Sequence, residues 1–560
     1  MPPTLYPNAW LPPAWDHGTL DNWSPLIANE DQMIVIVHGR PFDPGVLGNM
    51  IALPPPGGRL PGAWPRLVTR GGTSHIRLAN WNYRTHPSDN PDSASIPDAL
   101  DPAYGIEVNI GSLDLLGGSE FSVGAIGVKN GSREYDAFKT YSWGNRPVDI
   151  LAGNPQWPLS RFKTVLRGIF TSLGGDTSTI VLGIRTIQAK LENLIERSYY
   201  AGTGGLEGPL TFKGRVKPEV WGRRRKVPML LINKDQQIWQ VAVKLGAVLG
   251  VFDIGLPVSY SGNDYVSYEA LSAAAVADGY YSTCITHGLI KFGRPVVKPV
   301  ADVDGPAEIG YTAPAIIRYL VENRLTFAYN LSGDEVESVS FAKAESARGW
   351  TVGVWLDGET TATTVIDRLM RSIGGWAVPN RLGQLTLGLY KLPSNPLITL
   401  TESDIDDSDI SLEARRPAVR RLVVGVRPTT AVHSAGEISA AATEEQRLAV
   451  AEQYRYVART ASVSDADAIT HVIDTDLDDE DDADQLLAEL LPLLSTATHL
   501  YSIPLRGLPF RHWVGDVRGL RHSRFGYSNG AAGMVLGIRE SSSGDNRLRW
   551  LGPAGRMVNG

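Results

Sequence analysis

At 560 residues the chain is too long for one hydrophobic core, and its length predicts three to five domains of roughly 100–200 residues. Its 53 lysines and arginines against 60 aspartates and glutamates leave a net charge of −7, which argues against a dedicated nucleic-acid binder. The single cysteine, Cys284, excludes an intrachain disulfide, a multi-cysteine zinc site and a cysteine-ligated iron–sulfur cluster.

The 58 glycines and 37 prolines describe a turn-rich globular chain short of low complexity. Its start, Met1-Pro2-Pro3-Thr4-Leu5-Tyr6, has no basic stretch leading into an apolar one. No segment reaches the roughly 20 apolar residues of a membrane span. The expectation is a protein made and assembled in a cytoplasm. Residues 1–70 are dense in proline and tryptophan (Trp10, Trp15, Trp23, Trp64), and Met33 to Val37 alone reads as a strand. They are expected to form an extended arm, packed on a neighbour or on their own domain.

Residues 71–197 read as antiparallel β structure. Tyr104 to Ile110 alternates with period two, Val123 to Val128 does so before an Asn130-Gly131 turn, and Thr179 to Ile184 runs into a helical pattern of Ile187, Leu191, Leu194 and Ile195. Residues 198–310 form a glycine-rich α+β module opening on Ala201-Gly202-Thr203-Gly204-Gly205-Leu206-Glu207-Gly208, with a helix expected from Tyr268 to Asp278. Residues 311–400 read as a helix and a hairpin: Val365, Ile366, Leu369 and Ile373 share a face, the helix stops at Gly374-Gly375, and strands flank Asn380-Arg381-Leu382-Gly383. In 401–560 a strand, Arg421 to Val426, precedes a helix from Glu444 to Tyr456. A second helix, Asp481 to Leu491, is expected to stop at Pro492. The sum is a multidomain, mainly β chain with α+β insertions, built of small antiparallel barrels or sandwiches.

Catalytic signatures are absent from the sequence. There is no GxSxG elbow and no P-loop, and no two of the ten histidines lie closer than ten residues. The Gly202 to Glu207 stretch imitates a dinucleotide loop, but Glu207 stands at the third glycine and no βαβ unit surrounds it. The run Asp474-Thr475-Asp476-Leu477-Asp478-Asp479-Glu480-Asp481-Asp482-Ala483-Asp484-Gln485 imitates a calcium loop, yet Asp479 replaces the sixth-position glycine and Gln485 the terminal glutamate. Two readings stay open: a solvated, acid-rich helix start that suits the macrodipole, or a weak divalent-cation site. Arg223-Arg224-Arg225-Lys226, the one basic run, reads as an exposed turn, with a subunit contact and nucleic acid as alternatives. Asp302 and Asp304, like Asp404, Asp406 and Asp407, are of the residue type a glycosidase uses, though their spacing in sequence fixes no spacing in space. Cys284 reads as a small buried apolar residue. No catalytic, cofactor-binding or metal-ligating residue is assigned, and no cofactor is expected.

One resemblance is specific. The string Tyr200-Ala-Gly202-Thr203-Gly204-Gly205-Leu-Glu207-Gly208, then Lys217-Pro218, Trp221-Gly222 and Val227-Pro228, then Tyr281-Ser-Thr283-Cys284, Gly288-Leu289 and Phe292-Gly293, resembles a module of tail-tip proteins of long-tailed bacteriophages and gene transfer agents. Gly124 to Gly131, Trp143 to Gly153 and Arg167 to Phe170 resemble the β domain that these share with distal tail proteins. Ala362 to Gly388 is similar to the helix–hairpin hub domain of tail tips, with Arg421 to Val426 and Glu444 to Tyr456 in the place of that family's next strand and helix. Where the family usually has a tyrosine and an asparagine after this strand, this chain has Val426-Arg427-Pro428-Thr429. The resemblance covers roughly residues 75–540. It implies a baseplate or tail-tip hub: a virion protein assembled in the host cytoplasm, most simply a homotrimer. Such a hub caps the tail tube, joins distal tail and tape-measure proteins to receptor-binding parts, meets DNA only in passage, and opens for genome ejection. The competing readings are a cell-wall hydrolase of the tail and a carbohydrate-binding β protein, the latter suggested by 14 tryptophans.

Overall fold

The computed structural model describes residues 76–554, apart from 91, 101–104, 112–114, 117, 142, 145, 326–334, 407–408, 507–510 and 542–545, together with three earlier strands, Ile34–Gly39, Met50–Ala52 and Leu67–Thr69. It is mainly β, 42% strand and 19% helix, in several curled sheets. Most of residues 1–70 lies outside the described residues. The expected Met33–Val37 strand is there as Ile34–Gly39, and it is an inner strand, paired antiparallel with both Pro147–Gly153 and Ile76–Ala79. The same six-stranded sheet continues through Lys163–Gly175, Thr179–Arg185 and Ile126–Lys129.

A nine-stranded sheet follows. Its edge strands are Leu230–Asn233 and Gly353–Leu356, and Glu219–Pro228 pairs with Gly353–Leu356 through its first half and with Pro299–Asp304 through its second. The C-terminal strands Thr498–Pro504, Val517–His522, Tyr527–Ser541 and Arg547–Pro553 build an eight-stranded sheet with Ile398–Leu400 and Ser411–Arg416. Gly105–Ile110, with its expected alternation of exposed and buried residues, docks onto Tyr527–Ser541. The sheet near the C-terminus thus holds a strand from more than 400 residues earlier.

Three helices fill the space between the sheets, each with a side-chain cap: Thr312 for Ala313–Asn323, Thr361 for Ala362–Ser372, and Asp479 for Glu480–Leu494. Their apolar faces, Ile316, Ile317 and Leu320, then Val365, Ile366 and Leu369, then Leu486, Leu487 and Leu490, belong to one continuous core reaching from Leu78 to Leu551. The hairpin Gly375–Pro379 with Leu385–Leu389 follows the Ala362–Ser372 helix as expected. Among the described residues no helix is long and apolar enough to cross a membrane.

Four helix expectations need correction, each for a tertiary reason. After Gln188–Leu191 the chain straightens, so that Leu194 bridges Thr361 and stays exposed. Tyr268–Ala273 ends early because the Lys291 ammonium draws the carbonyls of Ser272 and Ala274 to 2.7 and 2.8 Å. Glu444–Ala451 stops before Arg455–Thr460, which is a strand paired with Val419–Val426. Pro492 sits inside Glu480–Leu494: in the last turn a proline removes one hydrogen bond without blocking two further residues.

Candidate functional site: a buried charge lock

The basic run is no exposed turn. Arg223, Arg224, Arg225 and Lys226 lie in the Glu219–Pro228 strand, in the interior of the nine-stranded sheet, and Arg224 and Lys226 are buried. The register against Pro299–Asp304 shifts between Arg224 and Val227, and Lys226 takes φ of 49°. Such a bulge re-aims side chains, and here it points four successive cations at four different carboxylate contacts.

Arg223 makes a two-pronged pair with Asp304, at 2.7 and 3.0 Å. Arg225 does the same with Asp478, at 2.6 and 2.9 Å. The Lys226 ammonium lies 2.8 and 3.0 Å from the Asp302 oxygens and 3.6 Å from the centre of the Phe252 ring, and its own amide also donates to Asp302. Arg224 donates to Asp476 at 2.6 Å, and Arg368 of the Ala362–Ser372 helix grips the same carboxylate through Nε at 2.5 Å and Nη2 at 2.6 Å. Burial pulls the Arg224 and Lys226 pKa values down, opposed by Asp476 and Asp302, whereas in Arg368 the pull of Asp476 outweighs burial.

The acidic run therefore divides in two. Asp476 and Asp478 are buried anion partners, placed by backbone bonds from the Asp476 amide to the Ser372 hydroxyl and from the Asp478 amide to the Thr351 carbonyl. Asp479 caps the helix, Glu480, Asp481 and Asp482 occupy its first turn, and Asp484 meets Arg459 at the surface. Asp476 and Asp478 accept from guanidinium groups, a preference for planar, two-pronged partners that differs from a cation loop. Among the described residues no group of three or more histidines, cysteines, aspartates or glutamates is gathered to hold a metal ion.

The other singled-out residues also make internal contacts. Glu207 folds the glycine-rich loop on itself, accepting from the Ala201 amide at 2.8 Å and from Lys217 at 2.7 Å. Asp404 closes the turn at Thr401, Asp406 faces Arg506, and Asp407 lies outside the described residues. Cys284 is buried, which raises its pKa, with the Thr286 hydroxyl at 3.4 Å.

Two further locks escaped the sequence reading. Arg348, fully buried, donates to the carbonyls of Ile373, Gly374 and Tyr390 and to Glu489 at 2.6 Å, tying three elements together. Arg381, in the hairpin loop, pairs with Glu540 at 2.7 Å over the Trp513 ring, while its carbonyl accepts from the Arg167 amide of the six-stranded sheet. Beside it His512 accepts from Arg518 at 3.0 Å, and burial among three arginines pushes its pKa down to about 3. The arginines spaced along strands and loops carry no local motif that announces such partners.

An open cleft of about 420 Å³ lies nearby, lined in part by Arg197, Glu219, Trp221, Lys244, Tyr319 and Arg324. Arg197 and Arg324 converge on Glu219 and also donate to the carbonyls of Lys217, Leu356 and Glu196. Two guanidiniums thus share one carboxylate, with backbone carbonyls as their further partners.

No family model matches the chain, and no curated protein matches it. Solved structures do. Its structural neighbours include phage tail proteins and a chain of a gene transfer agent virion. A chain of the virion of a native gene transfer agent particle is 13% identical, with 62% of this chain and 88% of that one covered and a TM-score of 0.36. A prophage tail protein from Listeria monocytogenes EGD-e is 10% identical over 83% and 92% of the two chains, with a TM-score of 0.35. The tail protein from Neisseria meningitidis MC58 is 10% identical over 81% and 91%, with a TM-score of 0.32.

Proposed function

We propose that the chain is a structural protein of a phage-like tail, a baseplate or tail-tip hub that acts through buried area between subunits and through no reaction. In this reading it caps the tail tube as a homotrimer and links distal tail and tape-measure proteins to receptor-binding parts. It resides at the tail tip of the virion, having been assembled in the host cytoplasm, and it opens for genome ejection.

The observation that carries this reading is where the tail-tip-like motif residues lie. Trp221-Gly222, Val227-Pro228, Tyr281 to Cys284 and Leu289 to Phe292 fall on three interior strands of one sheet, and their side chains face cores and ion pairs. Gly222 has φ of 75°, and a Cβ there would sit 2.0 Å from the Val352 carbonyl oxygen. Gly288 has φ of 58°, and a Cβ would sit 1.9 Å from that of Ala242. Both positions demand glycine because two backbones touch. The motif string thus marks backbone contacts within the sheet and no reactive side chain, which supports a structural reading. The charge lock supports the same reading, since it fastens the nine-stranded sheet, the Ala362–Ser372 helix and the Asp474–Asp484 segment into one stiff body.

The test is genetic and visual. Particles grown without this chain should have heads but lack mature tails, and antibody to the chain should label one end of wild-type tails. Normal infectious particles without the chain, or label confined to the head, would contradict the proposal.

A further inference from the structure

Residues 434–452 form a flap on the nine-stranded sheet. The flap leaves and re-enters at one base, where the Thr429 amide donates to the Gln453 carbonyl at 2.9 Å and the His433 amide to the Val450 carbonyl at 2.8 Å. Between these points lie a three-residue turn, Ala435–Glu437, and the helix Glu444–Ala451 with its Thr443 capping box. Few contacts hold the flap to the turn between Ala247–Asp253 and Leu256–Asp264. The Ser439 amide donates to the Ile254 carbonyl at 2.9 Å, and Lys298 meets Glu437 at 2.7 Å at the surface. Ile438, Ala442 and Val450 pack over Gly255, where a Cβ would lie 3.1–3.9 Å from their side chains. Within 434–452 only Ala442 and Val450 are buried. Segments that bury so little open locally while the rest of the chain stays folded.

His433 stands at the base of this flap. It is 1% exposed, and neither Nδ1 nor Nε2 has a hydrogen-bond partner among the described residues. The charges acting on it come from three places: Lys298 just before the Pro299–Asp304 strand, Asp253 at the end of Ala247–Asp253, and Glu437 in the flap's own turn. Lys298 repels a second cation. The two carboxylates attract one, but both are engaged elsewhere: Asp253 accepts from the amides of Val297 and Lys298 at 3.0 and 2.9 Å, and Glu437 holds Lys298 and the Ser434 amide. Burial outweighs their pull and draws the His433 pKa below its ordinary value. The neutral ring leaves one N–H without an acceptor here, and protonation adds a second N–H together with a buried charge.

We propose that His433 is a proton-sensitive latch: the flap of residues 434–452 lies closed on the sheet while the ring is neutral and is released when the ring takes a proton. In the open flap the ring meets solvent and regains its ordinary pKa of about 6.5. The open form then binds the proton more tightly than the closed one, so closure is fully favoured above that value and weakens as pH falls below it. The surface pair does not compete as the sensor, because Lys298 and the Ser434 amide lower the Glu437 pKa to about 2 and the pair stays charged at mildly acid pH. Opening uncovers Ile438, Ala442, Val450 and the turn at Gly255. The latch is a property of the fold and operates whether or not the chain is a hub.

The test is hydrogen exchange read by mass spectrometry on the full-length chain, at a series of pH values from 7.5 down to 5.5, with each rate divided by the intrinsic rate at that pH. Wild type is compared with His433→Leu and His433→Phe, which keep an apolar side chain and remove the proton. In wild type, protection of peptides within residues 434–452 should fall by up to about tenfold across the series, the most that one group of pKa about 6.5 can supply, while peptides of the Glu219–Pro228 strand keep theirs. Both variants should hold the flap closed to the same degree at every pH. A flat wild-type profile overturns the latch. An equal fall in the variants overturns His433 as the sensor, and a fall shared by the Glu219–Pro228 strand overturns local release. If both variants fail to fold, the wild-type profile decides by itself: a fall that begins well above about pH 6.5, or is steeper than about tenfold per pH unit, is not the titration of one histidine and overturns the proposal.

Discussion

Replacing Asp476 by alanine removes one carboxylate and strands two arginines. Asp476 is 3% exposed and accepts hydrogen bonds of 2.5–2.6 Å from Arg224 and Arg368. Arg368 reaches solvent, but Arg224 does not, and without Asp476 its guanidinium keeps the Gly353 carbonyl at 3.3 Å and the Thr430 hydroxyl at 2.9 Å. Breaking a buried pair from one side costs about 3–5 kcal/mol, because an uncompensated charge is left in the interior. The variant should therefore melt several degrees below wild type in scanning calorimetry. Asp484→Ala, which breaks an exposed pair with Arg459, is the control and should leave Tm close to wild type. Arg224→Met with Asp476→Leu should recover much of the loss, since hydrophobic replacement of a whole buried pair is often neutral. Chelator and calcium should move neither wild type nor variant. An Asp476→Ala shift no larger than that of Asp484→Ala would refute the reasoning. So would a calcium-induced rise of several degrees that Asp476→Ala with Asp478→Ala abolishes, because the carboxylates would then be serving a cation.

Three further outcomes are expected. Asp367 is pushed up to about 6 by burial, against the Ser119 amide and Arg371. The folded chain therefore holds this proton more tightly than the unfolded one, and stability from this group falls as pH rises from about 4 to 6, then levels. Asp367→Asn should raise Tm at pH 7.5 and leave it nearly unchanged at pH 4; an equal effect at both pH values would contradict the assignment. Cys284 should react with a thiol reagent after denaturation and not before, and rapid labelling of the native chain would show it accessible. Deleting residues 1–30 should leave a soluble, cooperatively melting chain that enters tails poorly. Deleting 1–40 should give a molten or insoluble chain, because Ile34–Gly39 stands between two other strands. Equal behaviour of the two truncations in calorimetry would refute that division.

The strands were readable wherever burial alternates, as in Gly105–Ile110 and Thr179–Arg185, and so was the helix stop at Gly374-Gly375, since both signals are local. What sequence alone misassigned is decided far along the chain. Arg223 to Lys226 looks like surface because four cations in a row are expensive to bury. Arg223 and Lys226 meet Asp304 and Asp302 about 80 positions on, and the partners of Arg224 and Arg225, Asp476 and Asp478, stand about 250 positions away and imitate a calcium loop. Each run read by itself suggests solvent or metal, while in the fold the middle of the basic run meets the start of the acidic one. Helix ends failed for the same reason: Lys291 and the strand beginning at Arg455 set them, and neither belongs to the helix that it ends.

The central claim is that this chain is a hub subunit, and negative-stain imaging of the purified full-length protein at micromolar concentration tests it most directly. The account predicts class averages showing rings with three-fold symmetry. A field of compact single-chain particles at that concentration would contradict it.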